Sequence, residues 1–387
     1  MIPLFKPYYD GREINAIAKV LASRWTGMGS VVERFENEFA DYIGVKYAVA
    51  VNSCTAALNL AVKCFGLDNV ITTPLTFIST VSAITENGCK PFYADIDKNT
   101  FNIDPDEINI DNLDAVIVVH YSGRPCDMDK INWVARKRGL IVIEDAAHAC
   151  GATYNGVKAG NLGDCGCFSF HAVKNLSCGD GGMVTTNNKE LYERLRKLRW
   201  CGIDKNTYER NGWEYEINEP GFKYHMNDIT AAVGLVQLEK LDSMNAKRKR
   251  LAERYRDKFQ ADAAIAPPVK LPMFDDSTYQ SSWHLYPIQV ENREGLYTYL
   301  KENGIGAGVH YKPTYKFEAY KQKVNLPNVE SVWKNLLSLP MYPEMTDEEQ
   351  DRVIDAVFRY CNKKDLGKRR SPVLRNMERE IYRPVTL

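Results

Sequence analysis

The stretch Ile141–Gly182, IVIEDAAHACGATYNGVKAGNLGDCGCFSFHAVKNLSCGDGG, decides how the rest of the chain is read. An apolar run, Leu140 to Ile143, stops abruptly at the acidic pair Glu144–Asp145. A second run, Cys165 to Phe170, leads to Lys174 and then to glycines at 179, 181 and 182. Buried parallel strands read as continuous apolar runs, and open α/β sheets bind ligands beyond the carboxyl ends of their strands. An acid at one strand end and a lysine just past another therefore meet over one ligand. If the strand period persists, Glu144 points away from Asp145.

Outward from this stretch the same alternation continues. Strands are predicted at Tyr47–Val51, Asn69–Thr73, Lys90–Ala94, Ala115–His120, Leu140–Glu144, Cys165–Phe170 and Gly182–Thr186. Helical stretches lie between them at Thr55–Phe65, Thr76–Asn87 and Met128–Arg138, a pattern that predicts a mostly parallel sheet covered on both faces. Before it, Gly11–Ser23 reads as a helix with Ile14, Ile17, Val20 and Leu21 at helical spacing, and Val31–Ile43 as a second helix. After it come a helix to Arg199, a polar and aromatic insertion from Gly202 to Pro220, and a long helix capped by Asn227. Beyond Pro267–Pro268 a smaller α+β unit is expected, with strands His284–Val290 and Gly306–His310 and helices Glu294–Asn303 and Asp347–Tyr360. The division is a large domain over 1–245, a small one over 246–361 and a basic tail over 362–387, disordered or packed on a partner.

Bulk properties narrow the function. With 387 residues the chain exceeds one ordinary core. Lys+Arg and Asp+Glu number 50 each, which argues against a nucleic-acid or membrane-surface role. No run approaches the roughly 18 apolar residues of a membrane span. The start, MIPLFKPYYDGREI, lacks a basic segment followed by an apolar one, so a cytoplasmic protein is expected. The ten cysteines form no framework. Only Cys165 and Cys167 have a close spacing, and without a second Cys/His pair they read as buried strand residues, so no metal is expected.

Several residues can carry chemistry. Ser53-Cys54-Thr55 follows a strand and opens a helix, where free N–H groups and hydroxyls bind phosphate; taken alone it is a plain cap. Asp145 at a strand end needs a partner or a ligand. Lys174, between a strand and a glycine-rich turn, suits Schiff-base chemistry if its surroundings depress its pKa. Ser169 is a phosphate donor or a strand-end hydroxyl. Phe77 stacks on a flat ring or belongs to the core. His148 and His310 taken singly read as structural. The lysine, the acid and the phosphate cradle together suit pyridoxal 5'-phosphate (PLP), which needs a Schiff-base lysine and an acid for its pyridinium nitrogen.

As a whole the chain resembles the PLP-dependent sugar aminotransferases of the DegT/StrS type, which have the aspartate-aminotransferase-like fold (fold type I). The resemblance runs from Ile2 to Tyr360. It is carried in order by IPLFKP, VNSCTAALNLA, TTPLTFIST, KPFYADID, GRPCDMD, VIEDAAHACGA, FSFHAVKNLSCGDGGM, GFKYHMNDITAAVGLVQLEKLD, GIGAGVHY and LSLPMYPEMTDEE. It implies Lys174 as the Schiff-base lysine, Asp145 as the pyridinium partner, Phe77 as the stacking ring and His148 near the ring hydroxyl. Ser169, Thr55 and the amide of Cys54 would hold the phosphate. The family is typically a homodimer with shared sites, in which Lys223 would reach the neighbour's phosphate, and His310 and Tyr311 would line the sugar-nucleotide side. Cys54 stands where the family usually has glycine, which would crowd the phosphate loop. Arg124 stands where relatives often carry glutamine or histidine, so substrate contacts there would differ. Relatives that are dehydratases replace the lysine by histidine; Lys174 argues against that chemistry.

The expected reaction moves an amino group from an amino acid, L-glutamate, to a nucleotide-linked keto sugar, with pyridoxamine phosphate as the intermediate form of the cofactor. FSFHAVKN followed by GDGGM resembles relatives acting at C4 of a 4-keto-6-deoxyhexose. The alternatives are a 3-keto sugar, an inosose or a keto-octulosonate as acceptor, or a non-catalytic regulatory protein of the same fold, against which the intact Lys174–Asp145 pair counts. Nucleic-acid binding through the basic tail would show as steeply salt-dependent affinity.

Overall fold

The computed structural model describes residues 1–204, 213, 215–261 and 268–362. The strands of the first domain are β1 (Tyr47–Val51), β2 (Asn69–Thr72), β3 (Lys90–Tyr93), β4 (Ala115–Val119) and β5 (Ile141–Asp145). They continue with a small hairpin, β6 (Thr153–Tyr154) and β7 (Val157–Lys158), and then β8 (Cys165–Ser169) and β9 (Gly182–Thr186). Seven of them form one sheet in the order β1-β9-β8-β5-β4-β2-β3. Six share one direction and β9 runs against both its neighbours. The seven predicted strands are thus the seven of the sheet, with ends moved by a residue.

The reversal of β9 matters for the site. Parallel neighbours need a crossover, whereas antiparallel ones are joined by a loop. The connection from β8 to β9 is such a loop, closed by the register pair Ser169↔Gly182, and Lys174 lies on it.

Side-chain alternation sorts the two faces. Along β8, Cys165 and Cys167 pack on one side of the sheet and Phe168 and Phe170 on the other. The helices that cover these faces are α1 (Arg12–Ala22), α2 (Ser30–Ile43), α3 (Cys54–Phe65), α4 (Ser79–Glu86), α5 (Met128–Arg138) and α6 (Lys189–Leu198). The thiol face is covered by α3, whose Ala57, Leu58, Leu60 and Ala61 are fully buried. The phenylalanine face is covered by α2 and by the long helix α7 (Asp228–Gln260), capped by the Asn227 side chain, which accepts from Thr230 N. Ala231 to Met244 of α7 belong to this core, and Leu251 to Phe259 to the second one. Residue 245 lies within this continuous helix, which passes between the two cores.

The second core is built on β10 (Val269–Lys270), β12 (Tyr286–Val290) and β13 (Leu336–Leu339), with α8 (Arg293–Glu302), α9 (Pro327–Trp333) and α10 (Asp347–Asn362). A short strand, β11 (Tyr279–Gln280), pairs instead with β6 of the first domain. One expectation fails here. Gly306–His310 is not a strand: it meets β13 only at Gly308↔Ser338, because the N-terminal segment lies along it, with Gly306 N donating to Ile2 O at 2.8 Å. The strand that completes this sheet is β13, which alternation did not single out.

The apolar face expected of α1 is also corrected. Val20 is buried and Ile17 packs on the first core as expected, but Ile14 and Leu21 are 71% and 55% exposed. Beside Val20 and Ile17 the helix docks through Glu13, which is buried and accepts from Gln237 and Lys240 of α7. Most of the 202–220 insertion and the tail after residue 362 lie outside the described residues.

Candidate active site

The last residues of β4, β5 and β8, namely Val119, Asp145 and Ser169, all face α3, and a cavity of about 340 Å³ opens beyond them. Its wall holds Lys174, Asp145, His148, Ser169, Cys54, Thr55, Phe77, His310 and Tyr311, nine of the ten residues picked out from the sequence. The tenth, Lys223, is exposed outside the cavity, bridged to Trp200.

Lys174 is placed by its loop, with its own N–H donating to His171 O at 2.8 Å. Burial lowers its ammonium to about 8, and its side chain has no hydrogen bond among the described residues. A substantial fraction of the amine is therefore neutral near pH 8, as attack on a carbonyl requires.

The adjacent carboxylates of β5 have divergent fates. Glu144 points to the opposite face and accepts from Gly160 N, Leu162 N and Gly163 N, each at 2.7 Å, with His120 Nε2 at 2.9 Å. It is saturated and structural. Asp145 is buried in the cavity and, among the described residues, accepts only from Thr80 Oγ1 at 2.8 Å and Ala147 N at 3.2 Å. Burial raises its pKa, while those two donors and Lys174 act against the rise. A carboxylate so placed has capacity left for one cationic donor.

Two helix N-termini close the other end. Ser53 caps α3 by accepting from Ala56 N at 3.1 Å, and Thr55 Oγ1 lies 2.6 Å from Ser79 Oγ on the first turn of α4. Gly182 seals the cup from behind, where a Cβ would stand 2.5 Å from the Ser53 carbonyl. Cys54, expected to crowd this loop, has its side chain buried between α3 and the sheet. Phe77 is 57% exposed and so is not a core residue; its ring lies 6.1 Å from that of Tyr311 at the cavity mouth.

On the remaining side His148 Nε2 is 3.0 Å from Tyr311 Oη, and His310 Nδ1 is 2.9 Å from Ser338 Oγ. Burial pushes His148 well below the usual imidazole range and His310 down to about 4, with Lys174 adding to both, so both rings are neutral at pH 7. Arg124 is not at the cavity. Its guanidinium lies 4.1 Å over the Tyr279 ring and donates to Phe274 O. Thr80 and Ser79 were missed from the sequence, although both stand in the quoted TTPLTFIST; only the fold reveals that they face Asp145 and Thr55.

The donor set fits PLP. The neutral amine suits a carbonyl, the undersatisfied buried acid suits a pyridinium, and the paired helix starts with their hydroxyls suit a phosphate. Such a site on this sheet defines a PLP-dependent enzyme of the aspartate-aminotransferase-like fold. The chain belongs to the DegT/DnrJ/EryC1/StrS aminotransferase family, which it matches over residues 7–358. It is 43% identical over 378 residues to the spore coat polysaccharide biosynthesis protein SpsC of Bacillus subtilis, covering 92% of this chain and 96% of that protein. Among solved structures it matches the PMP form of Spr1654 from Streptococcus pneumoniae with a TM-score of 0.88 at 30% identity, covering 94% of this chain and 100% of the other. It matches Helicobacter pylori PseC, an aminotransferase involved in the biosynthesis of pseudoaminic acid, with a TM-score of 0.87 at 28% identity, covering 93% and 99%. The chain is a PLP-dependent aminotransferase.

Proposed function

We propose that the enzyme takes the amino group of L-glutamate and delivers it to C4 of a nucleotide-linked 4-keto-6-deoxyhexose in amino-sugar biosynthesis. The observation that carries the transamination is the pairing of a lysine lowered to about 8 with an undersatisfied buried Asp145 in one cavity. Two relatives support the substrate class by name, SpsC in polysaccharide and PseC in pseudoaminic acid biosynthesis. The position of amination rests on the likeness of FSFHAVKN and GDGGM to relatives acting at C4.

Bound PLP supplies the electron-withdrawing ring that makes the donor's α-proton removable. Lys174 would hold the cofactor through its Nζ, and the same amine, when free, would be the base and acid that moves the proton in each half of the transfer. Asp145, its carboxylate held by Thr80 and Ala147 N, would keep the ring nitrogen protonated. Thr55, Ser169 and the Cys54 amide would hold the phosphate, Phe77 would cover the ring, His148 would lie on the hydroxyl side, and His310 and Tyr311 would border the sugar; all of them line the cavity.

The working unit in this reading is a homodimer whose Lys223 enters the neighbouring site. Among the described residues Lys174 is the only lysine or arginine on the cavity wall, and a phosphate dianion calls for another cation. The exposed Ile14, Leu21 and Trp25 give a second copy apolar surface to cover. We treat 1–245 and 246–361 as the two domains. We place the enzyme in the cytoplasm; among the described residues no helix is long and apolar enough to cross a membrane.

The test is a panel of nucleotide keto sugars with glutamate as donor, the products read by NMR. Amination at C4 of a 6-deoxy-4-keto sugar is expected. Turnover confined to 3-keto sugars, inososes or keto-octulosonates would overturn the substrate assignment, and absence of a borohydride-trapped adduct at Lys174 would overturn the chemistry.

A further inference from the structure

Asn175 follows Lys174 in the chain, and its side-chain amide is buried. Its Nδ2 donates to Asn245 Oδ1 at 2.8 Å and to Ser282 O at 2.7 Å, and its Oδ1 lies 3.0 Å from His284 Nδ1. The polarity of this cluster follows from two backbone carbonyls, which can only accept. Cys150 O takes a bond from Asn245 Nδ2 at 2.9 Å, so Asn245 turns its oxygen to Asn175. That oxygen and Ser282 O together take both N–H bonds of the Asn175 amide. The Asn175 oxygen is left to accept, and His284 carries its proton on Nδ1. Neither amide can flip without setting oxygen against oxygen. Behind Asn245, a Cβ on Gly151 would stand 2.5 Å from Nδ2, so the outer amide is packed tightly as well.

The partners of Asn175 lie where the chain passes between its two cores. On α7, Asn245 follows Met244, which belongs to the first core, and precedes Leu251, which belongs to the second. Ser282 and His284 flank Trp283, a residue of the second core, and the chain then enters β12. This segment is also fastened to the first domain: Ser282 N donates to Gly123 O, Ser282 Oγ to His148 O and His284 N to Ser122 O. Both passages therefore meet at one amide beside Lys174. The cavity depends on their alignment, because its wall takes Lys174 from the β8–β9 loop and His310 and Tyr311 from the chain beyond β12. The lysine side chain makes no hydrogen bond among the described residues, so Nζ stands where its backbone puts it. On one side that backbone is held by the bond to His171 O; on the other the first holding group is the Asn175 amide.

We propose that Asn175 is a positioning residue for the transamination: its amide fixes the Lys174 backbone against both passages between the cores and so sets the reach of Nζ to the reacting carbons. This rests on the reading of Lys174 given above. Asn175 is not on the cavity wall and acts through the lysine. Misplacing a reacting group by about 1 Å costs about 100-fold in rate without weakening binding in proportion.

The test is N175L, which keeps the bulk of the side chain and removes all three bonds. One readout is the rate at which cofactor-free protein captures PLP at Lys174, followed through the visible band by stopped flow. The other is the reaction of the PLP-loaded protein with L-glutamate, split into its saturating rate and its half-saturating concentration. Capture and saturating rate are both expected to fall about 10- to 100-fold, with the half-saturating concentration little changed. N245L severs only the α7 arm and leaves Asn175 in place; it should give the same two losses in smaller measure, and adding it to N175L should cost little more. A merely structural amide would lower the melting temperature of both variants and leave capture and saturating rate unmoved, and that result overturns the proposal. A slower reaction with unchanged capture overturns it too, since the effect then lies elsewhere than on Lys174. If N175L does not fold, N245L decides on the same two readouts. If wild type shows no borohydride-trapped adduct at Lys174, the reading of the lysine fails and this inference falls with it.

Discussion

Gly182→Ala tests the phosphate cup most directly. Gly182 needs no left-handed backbone; what it needs is room. An added Cβ would stand 2.5 Å from the carbonyl carbon and oxygen of Ser53 and 2.8 Å from Cys54 N, where ordinary contact begins at 3.4 Å. The Ser53–Cys54 peptide or the start of β9 must retreat by about 0.9 Å, an overpacking that costs about 1–3 kcal/mol of stability. The same movement pulls the first N–H groups of α3 off any phosphate they hold. Losing one charge-assisted bond of about 1.5–3 kcal/mol weakens PLP about 10- to 100-fold. The assay is a spectrophotometric titration of the cofactor-free variant with PLP and, in parallel, with pyridoxal, which has the aldehyde and ring but no phosphate. The expected outcome is a large loss for PLP and little for pyridoxal. Equal losses for both, or unchanged PLP affinity in a variant whose melting point has dropped, would refute the assignment of the cup to phosphate.

Lys174→Met should abolish borohydride trapping and raise the melting temperature of the cofactor-free protein at pH 7 by about 1–4 °C. The sign follows from a folded pKa of about 8 against 10.5 for the free side chain: burial disfavours the charged form in full below about 8, and wild-type stability recovers as pH rises from there toward 10.5. The advantage of the variant, read by calorimetry, should therefore shrink with pH, and a constant advantage would contradict it. Thr80→Val removes the 2.8 Å donor to Asp145, whose carboxyl burial already raises, so the acid limb of kcat/KM should move up by about one pH unit; an unmoved limb would detach Asp145 from the chemistry. Lys174→Ala and Lys223→Ala, each inactive alone, should regain activity when co-expressed as mixed dimers, since one of the two sites is then intact. No recovery would place Lys223 outside the neighbouring site.

The sheet was legible because its strands are short apolar runs ended by polar or turn residues, and all seven emerged within a residue or two of their ends. The small domain was less so, for a physical reason. Gly306–His310 has the composition of a strand, but its start is taken by Ile2 from the far end of the chain, a long-range competition that no local pattern carries. On α1 the periodicity was real and its consequence was misjudged. Glu13 is buried because Lys240, over two hundred residues away, compensates its charge, and that rotates Ile14 and Leu21 outward.

The candidate site shows the same division between local and distant information. Glu144 and Asp145 are chemically near-identical neighbours, and strand alternation alone separates them onto opposite faces. Alternation does not say which is functional. That depends on what else lies on each face: the turn that carries Gly160, Leu162 and Gly163 spends Glu144 on backbone N–H groups, whereas the Asp145 face meets Thr80 and one amide and then open cavity. The same test finds Tyr311 Oη 3.0 Å from His148 Nε2 and with no other partner among the described residues. In this protein the working groups are the buried polar atoms that the fold leaves with capacity to spare, and the saturated ones beside them hold the scaffold in place.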